Sequence, residues 1–222
     1  MKNLILSELK LEDLKGIIKL KEGKIAAYEW TEIDQINLTE REARQMEEIK
    51  GNLLNRDTIL MNEATIWARA IYPMLLLAEQ EDIQAWAEVN LKAKYAEFEL
   101  EGIADGVLGK TIAGRVESPY LVVVETKKGV EAKNPIFQLY GQLLAAARIN
   151  WENERRPLQE IFGCYTIADT WKFVRAEVTE IDANVPTMKV EYSREYVEKL
   201  EAETILKILK GIVSRYLAQE DN

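Results

Sequence analysis

The run Pro119-Tyr-Leu-Val-Val-Val124 constrains this chain more than any other feature. An unbroken apolar run rich in β-branched residues suits a strand covered on both faces, not a half-exposed one. Such a strand needs a neighbour along each edge and a layer of helices on each side, so the rest of the chain must supply them. The run ends abruptly in Glu125-Thr-Lys-Lys-Gly129. Two residues apart on a strand, Glu125 and Lys127 point to the same face. A carboxylate and an ammonium leaving a core strand together are costly unless they are paired or used.

Other segments fit around that strand. Asn62 is a candidate N-cap, and Ala64–Ala78 has helical spacing with a kink expected near Ile71–Tyr72, because Pro73 falls inside it. A further helical stretch is expected over Ile83–Lys92. Tyr95, Phe98 and Leu100, then Ile103 and Val107, alternate with period two and predict two strands bent at Gly102. Gly109–Ser118 has the composition of a loop. Asn134–Asn150 predicts a long helix with Pro135 in its first turn. Ile161–Ile167 and Trp171–Val178 predict a hairpin, and Thr187–Tyr192 a weaker strand. Ser193 is the expected cap of a final amphipathic helix carrying Tyr196, Leu200, Ile205, Ile208, Leu209 and Ile212 on one stripe, a surface able to pair two chains as a homodimer. The fold class is therefore α/β, a mixed β-sheet sandwiched between helices. Residues 1–60 read as an appended, mostly helical segment without chemistry. In it Thr39-Glu-Arg-Glu42 is a capping box that opens a helix towards Asn52, and Gly16–Trp30 is a short strand pair turning at Glu22-Gly23. Residues 61–222 read as the main domain.

The 222 residues include no histidine. That removes histidine acid–base catalysis, serine–histidine triads and ordinary histidine-ligated zinc. Any chemistry must use carboxylates, lysine, tyrosine or a cation held by oxygens, for which Mg²⁺ or Mn²⁺ is suited. The single cysteine, Cys164, lies in an apolar run and reads as a buried residue in a reducing, cytoplasmic setting. No apolar stretch is long enough to span a bilayer. The net charge of −9 argues against phosphate binding by the whole surface, yet the window 110–148 holds six basic residues against three acidic ones. Lys128 and Lys133 are candidates there for phosphate contact. Trp67, Trp86, Trp151, Trp171 and Tyr140 could stack on bases, although core packing is the more common use of such residues.

An acid-x-Lys triplet means little alone, since six occur: at Glu8, Asp13, Glu22, Glu48, Glu125 and Glu131. Only Glu125/Lys127 follows a buried-strand pattern. Asp105 lies in the preceding strand pattern between Gly102 and Gly106, on the face that period two assigns to Ile103 and Val107, where a charge is out of place. If the two strands are neighbours, Asp105 and Glu125 converge on one metal ion. Such an ion polarises a phosphate and lowers the pKa of a water, while Lys127 orients that water and steadies the charge that develops.

Glu99-Leu-Glu-Gly-Ile-Ala-Asp105-Gly, then Val122-Val-Val-Glu125-Thr-Lys127, then Gln138-Leu-Tyr140-Gly-Gln142 resembles the PD-(D/E)xK nuclease superfamily. Asn62-Glu63-Ala64 followed by Ile71-Tyr-Pro73-Met-Leu75, and the later Phe162–Phe173, are similar to the nuclease domain of type I restriction R subunits. The resemblance covers roughly residues 60–180, and Ala104 stands where the motif has proline. It implies a restriction-endonuclease-like three-layer core. It further implies a Mg²⁺-dependent nuclease acting on nucleic acid, with DNA the expected substrate and endonucleolytic cleavage the expected mode. Asp105 and Glu125 are then the metal ligands and Lys127 the catalytic lysine. The resemblance adds Glu63 from the first helix and Gln138 from the helix after the strand, with Gln142 one turn later as the competing glutamine. The alternative is a nuclease-fold module without turnover that binds nucleic acid or a protein partner.

Overall fold

The computed structural model describes residues 1–130 and 134–220, so Lys133 and the Glu131/Lys133 triplet lie outside the described residues. The order of elements is β1 (Lys2–Ile5), α1 (Leu11–Lys15), β2 (Lys19–Ile25), α2 (Glu40–Leu54), α3 (Glu63–Ile66), α4 (Tyr72–Leu77), β3 (Ile83–Lys94), β4 (Phe98–Ile112), β5 (Arg115–Lys127), α5 (Ile136–Glu154), β6 (Leu158–Ile167), β7 (Thr170–Thr179), β8 (Thr187–Val197) and α6 (Glu198–Glu220). The strands form one mixed eight-stranded sheet in the order β1-β4-β5-β6-β7-β8-β2, with β3 on the other edge of β4. Helices α5 and α1 cover one face, and α2, α4 and α6 the other. The α/β class with a mixed sheet between helices is thus as expected.

The apolar run behaves as its composition demands. Val122, Val123 and Val124 are fully buried, and β5 lies between β4 and a parallel β6. The β6–β7 hairpin forms as expected, and Thr39 caps α2 with a reciprocal Glu42 bond. Between α3 and α4 the helix widens into one π-helical turn over Trp67–Ile71, immediately before Pro73. The proline lacks an N–H for a regular helical bond, and the widened turn absorbs the irregularity at the expected place. Cys164 is buried and free, with its thiol pushed far above its ordinary value by burial.

Several expectations fail for physical reasons. Ile83–Lys92 is strand, not helix. Its Ala, Glu, Leu and Lys favour a helix locally, but pairing with β4 and burial of Val89, Leu91 and Ala93 override that preference. The two strands expected on either side of Gly102 are one, β4, which continues through the glycine, and Leu6 packs where a Cβ would stand. Gly109–Ser118 is not loop. The strands continue to a tight turn in which Ala113 and Gly114 both have positive φ. Ser193 lies within β8, where its hydroxyl accepts the Phe173 amide, and α6 begins five residues later. The stripe Ile205, Ile208, Leu209 and Ile212 is buried in the chain's own core, while Leu200 is exposed, so it offers no surface for pairing two chains.

The largest correction concerns residues 1–60. They are not an appended helical piece: β1 and β2 form the two ends of the strand order, each pairing in parallel with a distant strand. The strand pair expected at Glu22-Gly23 is a single strand that runs through both residues. Leu6 and Leu14 are fully buried beneath α5's layer. No described helix is long and apolar enough to cross a membrane.

Candidate active site

The site forms where β4 loses its neighbour. Strand β3 pairs along one edge of β4 for nearly its whole length. On the other edge β5 pairs from Ile112 back to Gly106, and β1 pairs from Phe98 to Glu101. Residues 102–105 fall in the gap between these two ladders. There the Asp105 carboxylate reaches across and its Oδ2 accepts the Thr126 backbone N–H at 2.6 Å. A side chain thus takes the place of a ladder carbonyl.

Alternation along β3 and β4 resets at the same level. Leu100 and Ala104 face the α5 side, yet a Cβ on Gly106 would meet Trp67 and Leu75 of the opposite layer. Likewise Val89, Leu91 and Ala93 face α5, whereas Ile83 and Ala85 face the other layer. Both strands reset together, so the register is the same before and after: Ala87 pairs with Gly106 and Val89 with Ala104. The residue at the reset on β3 is Glu88, opposite Asp105, with φ of 52°. Single-period reasoning, which put Asp105 on the face of Ile103 and Val107, therefore fails. Ile103 is 51% exposed and Val107 is buried. Glu88 carried no signal in a stretch that reads as helix.

Glu125 and Lys127 follow Val123 on the face covered by α5. Glu125 is fully buried and forms a short ion pair with Lys127 through Oε1. Its other oxygen accepts from Gln138 Nε2 at 2.8 Å and from Gln142 Nε2 at 2.6 Å. The two glutamines that competed in the sequence hold the same atom, because four residues along α5 is one turn. Gln142 also donates to the Ile103 carbonyl at 3.2 Å, in the gap of β4.

Burial, then the charge of Asp105, pushes Glu125 up to about 7, against the pull of Lys127 and Gln142. Burial also raises Asp105, opposed by the Thr126 amide and Lys127 and reinforced by Glu63 and Glu88. Lys127 is raised: burial works against its charge, but Glu125, Asp105 and Glu63 outweigh it. The lysine is therefore an ammonium at neutral pH, and suits charge stabilisation rather than proton abstraction. Glu63, at the start of α3 behind the Asn62 cap, is exposed and acts on Asp105 and Lys127 through its charge.

The donor set fits a hard cation in part. Asp105 and Glu125 supply oxygens, and Gln142 Oε1 is buried beside Glu125 with no hydrogen-bond partner among the described residues. No group of three or more acidic or thiol side chains able to hold a metal ion forms among the described residues. A cation here would keep much of its water, as Mg²⁺ does.

The window 110–148 does not make one basic patch. Lys110 pairs with Asp82 and Arg115 with Glu117, at the end of the β4–β5 hairpin remote from Lys127. Arg115 and Lys127 cap opposite ends of β5, roughly 40 Å apart at 3.3 Å per residue. Arg148 lies over the Trp151 ring and pairs with Glu152. Trp171 and Tyr140 are fully buried. A groove beside Lys127, of about 800 Å³, is walled by Asn134 and Gln138 on one side and Ser7 and Lys10 on the other. Residues 1–60, read as free of chemistry, thus border the site.

The chain matches no protein-family model and no curated protein sequence.

Proposed function

We propose that this chain is a Mg²⁺- or Mn²⁺-dependent phosphodiesterase acting on nucleic acid, with DNA as the expected substrate, on a restriction-endonuclease-like core of the PD-(D/E)xK kind. One observation carries the reading. Where β4 and β5 part, Asp105 bonds the Thr126 amide between Glu125 and Lys127, and its charge acts on both of these paired side chains. A bound Mg²⁺ would supply Lewis acidity towards a phosphate and a more acidic water. Asp105 and Glu125 would hold it. Gln138 and Gln142 fix the Glu125 carboxylate, so its free geometry is set before substrate arrives. The Lys127 ammonium steadies the negative charge that grows on the phosphate oxygens. Glu63, exposed at the start of α3, would add a further negative charge beside a bound cation.

The test is incubation of single- and double-stranded DNA, and of RNA, with the protein and Mg²⁺ or Mn²⁺. Cleavage is expected with the unaltered chain and is expected to fall at least about a hundredfold in Lys127→Ala and Asp105→Ala. Cleavage that persists unchanged in both variants would falsify the reading. A second reading, a nuclease-fold module that binds nucleic acid or a protein partner without turnover, draws on the absence of a three-carboxylate cage among the described residues. Binding of DNA with no cation affinity by calorimetry would favour it.

A further inference from the structure

The turn joining β6 and β7 encloses a second cavity of about 500 Å³, beside the candidate site. Its rim is tied to the catalytic strand, because the Ala168 N–H donates to the Lys127 carbonyl at 2.9 Å. One wall is Tyr165. It is the register partner of Glu125 on the parallel neighbour β6, so its half-buried ring stands on the same face of the sheet as Glu125. Ile59 and Ile167 add apolar surface, and Lys172 and Lys199 lie at the rim.

Asp169 is the distinctive member. It is 4% exposed, and its Oδ1 accepts from the Thr58 hydroxyl at 2.6 Å. Its Oδ2 has no hydrogen-bond partner among the described residues, and the nearest charge is Lys199 Nζ at 3.6 Å. The Lys199 ion pair offsets part of the cost of burying this oxygen, and a donor brought by a ligand relieves the rest. An aromatic wall, apolar flanks and a buried acceptor facing a space of this size match the chemistry that holds an unstacked nucleobase. A phosphate would meet the Asp169 charge and is disfavoured.

We propose that this cavity receives the base next to the cleaved phosphodiester, and that Asp169 selects bases bearing an amino group over thymine. Stacking on Tyr165 is tolerant of base identity. An ionised carboxylate is only an acceptor, so it bonds the amino groups of adenine and cytosine. In thymine the one donor, N3–H, lies between two carbonyl oxygens that the Asp169 oxygen repels, and no amino group is present. The proposal rests on the phosphodiesterase reading for the identity of its ligand.

The experiment titrates the full chain with dAMP, dCMP and dTMP by calorimetry, without metal, and measures cleavage of oligo(dA) against oligo(dT). Binding of dAMP and dCMP is expected to be about tenfold tighter than dTMP, the scale of one well-placed base contact. Asp169→Asn is expected to erase that preference, and Tyr165→Leu to weaken all three nucleotides alike. Unaltered preference in a folded Asp169→Asn variant overturns the proposal, as does failure of every nucleotide to bind. If Asp169→Asn does not fold, Tyr165→Leu decides, since undiminished affinity overturns the cavity's role. Preference erased by Asp169→Asn in a chain that cleaves nothing upholds the cavity and sinks the phosphodiesterase. Cleavage that needs Lys127 but ignores Asp169 and Tyr165 does the reverse.

Discussion

Asp105 accepts the Thr126 backbone amide at 2.6 Å across the stretch where β4 and β5 have already parted. The same carboxylate therefore braces the strand that carries Glu125 and Lys127 and offers its charge to the site. These two duties separate under substitution. Asp105→Asn keeps an acceptor for the amide and removes the charge. Asp105→Ala orphans a buried amide, which costs about 1–3 kcal/mol. Only the alanine variant is expected to melt lower without metal, while the rise in melting temperature expected for the unaltered chain with Mn²⁺ should be lost in both. A melting scan with and without Mn²⁺ checks this, and a normal Mn²⁺ response in Asp105→Asn would count against Asp105 as a ligand.

The two glutamines on Glu125 are unequal. Gln142 is fully buried and bonds both Glu125 and the Ile103 carbonyl, whereas Gln138 is half-buried and bonds Glu125 alone. Gln142→Leu takes a donor from the buried Glu125 carboxylate and from the Ile103 carbonyl and is expected to cost about 1–3 kcal/mol. Gln138→Leu should cost less than half of that. Chemical denaturation of the two variants compares them, and equal losses would contradict this ranking.

Stability should decline as pH rises from about 4.5 to about 8 because of Glu198. Burial, with a smaller contribution from Asp169, pushes this carboxyl up to about 8 although Trp171 donates to it. The fold therefore prefers the protonated acid. Its contribution to stability is complete below the ordinary value near 4.5 and is lost as pH rises through about 8. Across that window the loss is at most about 1.4 kcal/mol per pH unit. Glu198→Gln keeps the Trp171 acceptor and removes the titration. Melting temperatures between pH 5 and 9 should fall less steeply in the variant, and parallel curves would refute the assignment. Glu125 titrates in the same direction in both proteins.

A chain beginning at residue 61 should not fold. It lacks β1 and β2, the two ends of the strand order, and exposes the pockets filled by Leu6, Leu14 and Leu53, each fully buried in the whole chain. Far-ultraviolet circular dichroism during heating should show no cooperative transition. A sharp melt would restore the view that residues 1–60 are an appendage.

What the sequence disclosed depended on how local each signal was. The Val122–Val124 run, the Glu125/Lys127 pair, the Thr39 capping box and the β6–β7 hairpin are written in neighbouring residues, and each was legible. Strand β3 was not, because its helix-favouring residues and the reset at Glu88 hide a period of two. Strands β1 and β2 are short and mostly exposed, so pairing partners about a hundred residues or more away define them. Among candidate site residues, strand context points to Asp105, Glu125 and Lys127, and the resemblance to Glu63 and Gln138. Asp169 and Tyr165 gave no sign, because the cavity they share is made by a turn and a remote segment.

The placement of β1 has a consequence in time. Lys2–Ile5 pairs with Phe98–Glu101, made nearly a hundred residues later, and β2 must wait for Thr187–Tyr192. Contacts so distant in sequence form late and slow folding. Strand β1 thus stays unpaired until β4 is made and β2 until β8 is made, and the groove beside Lys127 acquires its Ser7–Lys10 wall only when the sheet closes around them.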